Sequence, residues 1–244
     1  MLGTDHAPAG GLGSPTEGCP RKDDVRLLLT SAGVKNASIR EALVDLLGKP
    51  VEEASALVVP TASYPGPGGP ARAWRVITGH ASTPLCEIGW SSLGVLELSA
   101  LPSVDPSAWV PEVREVDALL VGGGDPLYLA HWLRASGVAD LLDSLAGTVY
   151  VGVSAGSMVV APRVGEEFVG WRPPGGGDAT LGLVDFSLFP HLDHPDLPDN
   201  AMASAEAWAA GIDGPAYAVD DQTAVVVRDG EVTVVTEGHW RRFG

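Results

Sequence analysis

A serine flanked by glycines is the feature of this sequence that most directly suggests chemistry. Gly152-Val-Ser154-Ala-Gly156 ends the apolar run Thr148–Val153 and leads into a predicted helix that begins at Ala155. The pattern G-x-S-x-G between a strand and a helix is typical of hydrolases, because the tight turn exposes the serine hydroxyl. The first helical N–H groups then point towards the reacting carbonyl oxygen. We predict Ser154 as a nucleophile; the alternative is a glycine-containing turn with an inert serine.

A serine hydroxyl needs a general base, and histidine most often fills that role. His191 follows the predicted strand Phe186–Pro190. Open α/β sheets place their functional sites at the carboxyl ends of strands, so this position favours His191 as the base. Two alternatives stay open, namely His239 as the base of a different triad and His194 as a substrate contact or a solvated loop residue.

Three consecutive glycines, Gly122–Gly124, end another predicted strand. Glycines let the backbone approach a ligand closely and leave N–H groups free to donate. A dinucleotide-binding loop of the type G-x-G-x-x-G needs glycine at position 127, where this chain has Leu127, so that interpretation is weak. We predict instead that an N–H of Gly123 or Gly124, with that of Ala155, forms an oxyanion hole. A plain turn is the alternative.

A carboxylate that orients the histidine would complete a catalytic triad. Asp220 and Asp221 precede the apolar run Thr223–Val227, and Glu166 and Glu167 lie in the loop after the helix that follows the serine. The chain has 31 acidic residues, and most acidic side chains in proteins are only solvated. Residue types alone therefore leave the acid undecided.

Apolar runs that alternate with helical stretches predict the fold that positions these residues. Such a pattern is typical of an α/β protein with a mostly parallel, doubly wound sheet and helices on both faces. The predicted strands are Val25–Thr30, Ala56–Pro60, Leu93–Leu98, Asp117–Val121, Thr148–Val153 and Phe186–Pro190. The first predicted helix starts at the N-cap Ser38. The other predicted helices are Ala71–Gly79, Pro126–Leu145 with a break at Gly137, and a segment from the N-cap Asn200 to Ala210. The turn Asp229-Gly230 predicts a C-terminal β-hairpin, Thr223–Thr236.

Length and charge limit the classes of function. The chain has 244 residues, and we predict a single domain over residues 23–244 after a Gly- and Pro-rich flexible leader, residues 1–22. Fifteen basic and 31 acidic residues give a net charge of −16, which disfavours nucleic acids and membrane surfaces as partners. An integral membrane protein is also disfavoured, because no apolar run reaches the roughly 18 residues of a spanning helix.

Cysteine usage points to the compartment and to the chemistry of the site. The two cysteines have neither metal-ligand spacing nor the number that a disulfide framework needs, which suits a reducing cytoplasm. We expect a cytoplasmic monomer or homodimer that acts on a small peptide substrate and requires no metal or organic cofactor.

Five segments resemble, in the same order, the peptidase E (aspartyl dipeptidase) family of serine peptidases. They are LLLTSAGVKNASIREALVDLLGKP, the GGG loop, VGVSAGS, LFPHLD and VDDQTAVVVRDG. The resemblance covers about Val25 to the C-terminus. That family is similar in fold to the glutaminase half of class I glutamine amidotransferases, so the resemblance implies an amidotransferase-like fold.

The resemblance also implies a Ser–His–acid peptidase that cleaves short peptides through an acyl-enzyme. Ser154 matches the family's nucleophile and His191 its base. The family's glutamate falls on Asp221, and a second family acid falls near Glu167. The glycine loop continues here with Asp125, and the stretch after the histidine reads DHPDLPDN. The family's preference for an N-terminal aspartate is therefore not carried over, and an acidic rim favours neutral or cationic peptides.

Two other functions stay open. An esterase of the α/β-hydrolase type has its triad in the order serine, acid, histidine, which Asp213 or Asp220 with His239 would satisfy. A non-catalytic amidotransferase-like module would bind a small ligand or a protein partner instead. Because the amidotransferase nucleophile is cysteine, serine at position 154 disfavours glutaminase activity.

Overall fold

The computed structural model describes residues 25–145 and 147–244, which form two β-sheets and the helices around them. The strands are β1 (Arg26–Thr30), β2 (Ser55–Val59), β3 (Ser92–Val95), β4 (Ala118–Val121), β5 (Val149–Val153), β6 (Ser187–Phe189), β7 (Ala216–Val219), β8 (Thr223–Arg228), β9 (Glu231–Thr236) and β10 (Trp240–Phe243). The α-helices are α1 (Ala37–Leu47), α2 (Gly69–Ile77), α3 (Val110–Glu115), α4 (Pro126–Ala135), α5 (Ala139–Leu142), α6 (Ala155–Met158) and α7 (Met202–Ala209). The predicted leader lies outside the described residues, and the single-domain organisation stays a prediction.

The larger sheet has seven strands in the order β3-β2-β4-β5-β1-β8-β9. The first five pair in parallel, whereas β8 and β9 are antiparallel. The mostly parallel sheet with a C-terminal hairpin is therefore confirmed. Asp229 and Gly230 both have positive φ (52° and 77°), as a two-residue hairpin turn that matches the strand twist requires.

Helices cover both faces of this sheet, so its central strands are buried throughout. Side chains alternate between the faces along each strand. Leu27 and Leu29 pack in one hydrophobic cluster with α4, while Leu28 packs in another with Ile39 and Leu43 of α1. This two-sided burial explains why the strands are nearly continuous apolar runs in the sequence.

A second sheet of three strands, in the order β10-β7-β6, was not predicted. Strand β6 pairs in parallel with β7, and β10 pairs antiparallel with β7. Phe189 and Trp208 anchor the cluster under this sheet. Strand β6 ends two residues before His191, so this sheet positions the predicted base.

Two predicted helix caps are wrong, and one predicted break is confirmed. Asn36 caps α1 rather than Ser38, since its side chain accepts the N–H of Ile39. The N-terminus of α7 is bonded by the carboxylate of Asp193 rather than by Asn200. Helix α4 ends before Gly137, as predicted. No helix in the described part of the chain combines the length and apolarity needed to cross a bilayer.

Candidate active site

Ser154 occupies the turn between β5 and α6. Its backbone has φ 52° and ψ −112°, a conformation that non-glycine residues seldom adopt. The N–H of Ser154 donates to the carbonyl oxygen of Thr30 at 2.9 Å, which ties the turn to the end of β1. Strain of this kind persists only where the surrounding structure fixes it, and it concentrates at functional sites.

The glycine two residues after the serine is required by close packing. A Cβ on Gly156 would lie 2.1 Å from the carbonyl oxygen of Val121, the last residue of β4. A Cβ on Gly152 would lie 2.7 Å from the carbonyl oxygen of Gly156. The two glycines therefore let α6 begin directly against the sheet, which places Ser154 at its carboxyl edge.

His191 follows β6 and also has a positive φ, 58°. Its N–H donates to the hydroxyl of Ser31 at 3.0 Å, and that hydroxyl donates to the carbonyl oxygen of Val219 at 2.9 Å. The ring nitrogen Nδ1 lies 2.7 Å from Oδ1 of Asp221. Both side chains are about one-fifth exposed (19% and 20%), so the pair is largely shielded from solvent. This contact leaves Nε2 as the nitrogen available to a nucleophile.

The carboxyl group of Asp221 is held in its charged form. Burial alone would raise its pKa, but the hydrogen bond to His191 and the charges of His191, His194 and Lys35 outweigh burial and lower the pKa. A charged carboxylate beside Nδ1 stabilises the imidazolium that forms when Nε2 accepts a proton.

A second histidine faces the same carboxylate. His194 Nε2 lies 3.6 Å from Oδ2 of Asp221. His194 Nδ1 accepts the N–H of Asp196, so the neutral ring carries its hydrogen on Nε2 and directs it towards Asp221. The sequence placed His194 at the substrate or in solvent, whereas the structure places it beside the acid.

The glycine loop lies against the serine, as an oxyanion hole requires. A Cβ on Gly123 would lie 3.3 Å from Ser154 Cβ and 3.9 Å from Ser154 Oγ. Gly124 has φ 147°, and a Cβ there would lie 1.9 Å from the carbonyl oxygen of Ala62. Among the described residues, no acceptor bonds the N–H groups of Gly123, Gly124 or Ala155. These three groups are free to bind an oxyanion.

Ser154 and His191 line one cavity of about 600 Å³. The glycine loop lines it as well, and α2 with the segment after it contributes Arg72, Arg75 and His80. The prediction of an acidic rim is wrong for this cavity, because no acidic residue is among the described residues that line it. Asp125 instead caps α4 and also accepts the N–H of Trp171.

The alternative acid and the alternative base lie elsewhere. Glu167 is exposed on a short 3-10 turn, and within residues 25–145 and 147–244 no contact joins it to His191. His239 does pair with Asp220, at 3.1 Å, but its other ring nitrogen faces Asp193 and it does not line the cavity. The structure therefore favours Asp221 and His191 over these alternatives.

Two positioning residues, Thr30 and Ser31, were missed by the sequence reasoning. The carbonyl oxygen of Thr30 accepts both the N–H of Ser154 and the hydroxyl of Ser157, and the Ser31 hydroxyl accepts the N–H of His191. Both residues are fully buried. The available signal was their position at the carboxyl end of a predicted apolar strand, which Thr30 ends and Ser31 follows.

The chain is similar to known proteins in sequence and in fold. The chain is 28% identical over 131 residues to an uncharacterized peptidase of Pasteurella multocida, a match that spans 50% of this chain and 61% of that protein. It is 37% identical over 96 residues to peptidase E of Streptomyces coelicolor, spanning 38% of this chain and 37% of that protein. The crystal structure of a peptidase from an acI-B1 Actinobacterium superposes with a TM-score of 0.61 at 19% identity, covering 90% of this chain and 97% of that one. The model of peptidase family S51 matches residues 27–235. The chain belongs to peptidase family S51.

Proposed function

We propose that this protein is a serine peptidase that hydrolyses short peptides through Ser154, His191 and Asp221. The observation that carries the proposal is that His191 lines the same cavity as Ser154 while its Nδ1 lies 2.7 Å from Oδ1 of Asp221. The relatives named as peptidases support this assignment, although the aligned regions span only part of their length.

The proposed reaction proceeds in two halves. His191 Nε2 accepts the proton of Ser154 while Oγ attacks the peptide carbonyl, and the imidazolium then protonates the leaving amine. Oγ and the acyl group form an ester, which water hydrolyses with His191 again as the base. During both halves, negative charge develops on the former carbonyl oxygen. The free N–H groups of Ala155 and of Gly123 or Gly124 stabilise that charge.

The size of the cavity favours small substrates. A volume of about 600 Å³ lies within the roughly 300–1,000 Å³ range of small-molecule sites. A cavity of that size holds a few residues of a peptide, so we propose dipeptides and similarly short peptides as substrates.

Covalent labelling tests the nucleophile. A fluorophosphonate probe reacts with an activated serine hydroxyl and releases fluoride, leaving a phosphonylated Oγ. We expect labelling of the wild-type protein and of Ser82→Ala, a serine of the same cavity, but none of Ser154→Ala. Equal labelling of Ser154→Ala and the wild type would contradict the proposal.

Hydrolysis of a dipeptide library tests the reaction and its base. We expect turnover by the wild type, loss of turnover in His191→Ala, and retention in His239→Ala. Turnover should also fall in acidic buffer, because a protonated imidazole cannot accept the Ser154 proton. If only His239→Ala loses turnover, the triad of the esterase type is correct instead.

A further inference from the structure

We propose that His194 is a positioning residue that restrains one carboxylate oxygen of Asp221, so that the other oxygen stays directed at His191. The inference rests on the proposed function, because it names a further residue on which the same triad depends. The acid then lies between two histidines, of which only His191 lines the cavity with Ser154.

The carboxylate of Asp221 depends on these two histidines for its position. Oδ1 lies 2.7 Å from Nδ1 of His191, and Oδ2 lies 3.6 Å from Nε2 of His194. Across residues 25–145 and 147–244, no other group contacts either oxygen through a hydrogen bond or an ion pair. Without His194, the carboxylate would be held only by the ring that it has to orient. A side chain orients another precisely only when its own position is fixed, so the second contact is needed.

A tight turn brings the two rings to the same acid. The N–H of His194 donates to the carbonyl oxygen of His191 at 3.2 Å, which closes the turn. Asp193 lies inside this turn with φ 52°, and its N–H donates to the carbonyl oxygen of Asn200 at 2.8 Å. The two ring centroids are 6.0 Å apart with an interplanar angle of 85°. The backbone therefore fixes where His194 starts relative to the base.

The ring of His194 is also fixed in direction. Nδ1 accepts the N–H of Asp196 at 3.1 Å, so the neutral ring carries its hydrogen on Nε2, facing Asp221. At 3.6 Å this contact is longer than a hydrogen bond, and it acts as an attraction between the N–H dipole and the carboxylate charge. The side chains of His194 and Asp221 are 28% and 20% exposed, so water screens this attraction less than it would at the surface.

The position of His194 predicts which kinetic constant it affects. It does not line the cavity at Ser154, so its loss should leave substrate binding and KM unchanged. Loss of the restraint on Asp221 should lower kcat about tenfold, at the low end of the range for contacts with charged groups. The rate of fluorophosphonate labelling of Ser154 should fall by the same factor, and that measurement needs no peptide substrate.

Two substitutions separate the contact with the acid from the contact that fixes the ring. His194→Gln places an amide group near the position of Nε2, where it can donate to Asp221. His194→Asn places an amide group near the position of Nδ1. Its oxygen can still accept the N–H of Asp196, but its nitrogen does not reach Asp221. We expect kcat of His194→Gln to stay within a few-fold of the wild type and kcat of His194→Asn to fall about tenfold.

A double-mutant cycle shows whether His194 acts through the acid. His194→Asn should lower the labelling rate about tenfold in the wild-type background and have no further effect in the Asp221→Asn background. A residue that only maintains the fold would lower the rate in both backgrounds. His131→Asn is the matched control, because it removes a half-buried histidine that packs on Trp132 and Trp171 outside the cavity, and it should keep the wild-type rate.

The outcomes separate this inference from the proposed function. An unchanged kcat in His194→Asn, an equal loss in His194→Gln, a change confined to KM, or an equal loss in both backgrounds overturns the role of His194 and leaves the peptidase standing. No hydrolysis of dipeptides by the wild type, together with no labelling of Ser154, overturns the proposed function itself. Thermal melting checks that each variant folds, and His194→Ala replaces His194→Asn if that variant does not.

Discussion

Replacing Asp221 with asparagine tests the acid of the proposed triad. Asparagine keeps the shape of the side chain but removes the charge that faces His191 Nδ1 at 2.7 Å. Its amide group can also donate to Nδ1, which would leave the ring hydrogen on Nε2, the nitrogen that has to accept the Ser154 proton. Loss of both the charge and the correct tautomer predicts a fall in kcat of about 10³–10⁴. The assay is steady-state hydrolysis of the dipeptide that the wild type cleaves fastest.

Glu167→Gln is the matched control, since it neutralises the competing acid by the same kind of change. Glu167 is exposed and has no contact with His191 among the described residues, so we expect kcat within a few-fold of the wild type. A thermal melt of each variant separates loss of activity from loss of folding. A folded Asp221→Asn variant that retains kcat refutes Asp221 as the acid of the triad. A fall in kcat of about 10³-fold or more in Glu167→Gln assigns that role to Glu167 instead.

Three further predictions follow from the same geometry. Gly123→Ala places a methyl group 3.3 Å from Ser154 Cβ, where the reacting carbonyl must fit, so kcat/KM for the dipeptide should fall by about 10²–10³. Gly147→Ala is the control, because its added Cβ meets nothing within 4 Å, and it should match the wild type in the same assay. Burial, reinforced by the charge of Glu87, raises the pKa of Cys86 to about 12, so iodoacetamide at pH 8 should leave Cys86 unmodified in the folded protein, as peptide mass spectrometry can show. Folding lowers the pKa of Asp221, so the charged carboxylate stabilises the folded protein fully above the ordinary pKa of 3.8 and loses this effect as the pH falls below that value. In acid denaturation, the free energy of unfolding of Asp221→Asn should therefore decrease less over that pH range than that of the wild type.

The sequence was informative wherever a local pattern has one physical solution. Two-sided burial requires apolar runs, so strands β1, β4 and β5 were visible without the structure. The turn Asp229-Gly230 predicted the hairpin because both positions need positive φ. Ser154 was predicted because it follows β5 directly within a G-x-S-x-G pattern. His191 was predicted from its place after a strand of an open sheet, although β6 belongs to the second sheet rather than to the sheet of β5.

The sequence was uninformative where tertiary contacts decide between local alternatives. Ser38 and Asn36 are both good N-cap residues, but Asn36 caps α1. The N–H and hydroxyl of Ser38 instead donate to the carboxylate of Glu237, 199 residues away in the sequence. Strand β10 was not predicted, yet it pairs with β7 in a sheet that no local sequence pattern indicates. The charge of the cavity at Ser154 was wrongly predicted for the same reason, since only the fold brings Arg72 and Arg75 of α2 to Ser154.

The strained backbone at Ser154 and His191 combines a local sequence pattern with distant contacts that support it. Among the described residues, only Ser154, His191, Asp193 and Asp229 are non-glycine residues with positive φ. Asp229 belongs to the hairpin turn, where aspartate is common, but Ser154 and His191 have no such local reason and need external support. Thr30 and Ser31 supply it, because their groups bond the N–H of each strained residue. The end of β1 thus supports the strained backbone at both Ser154 and His191, through contacts between residues that are far apart in the sequence.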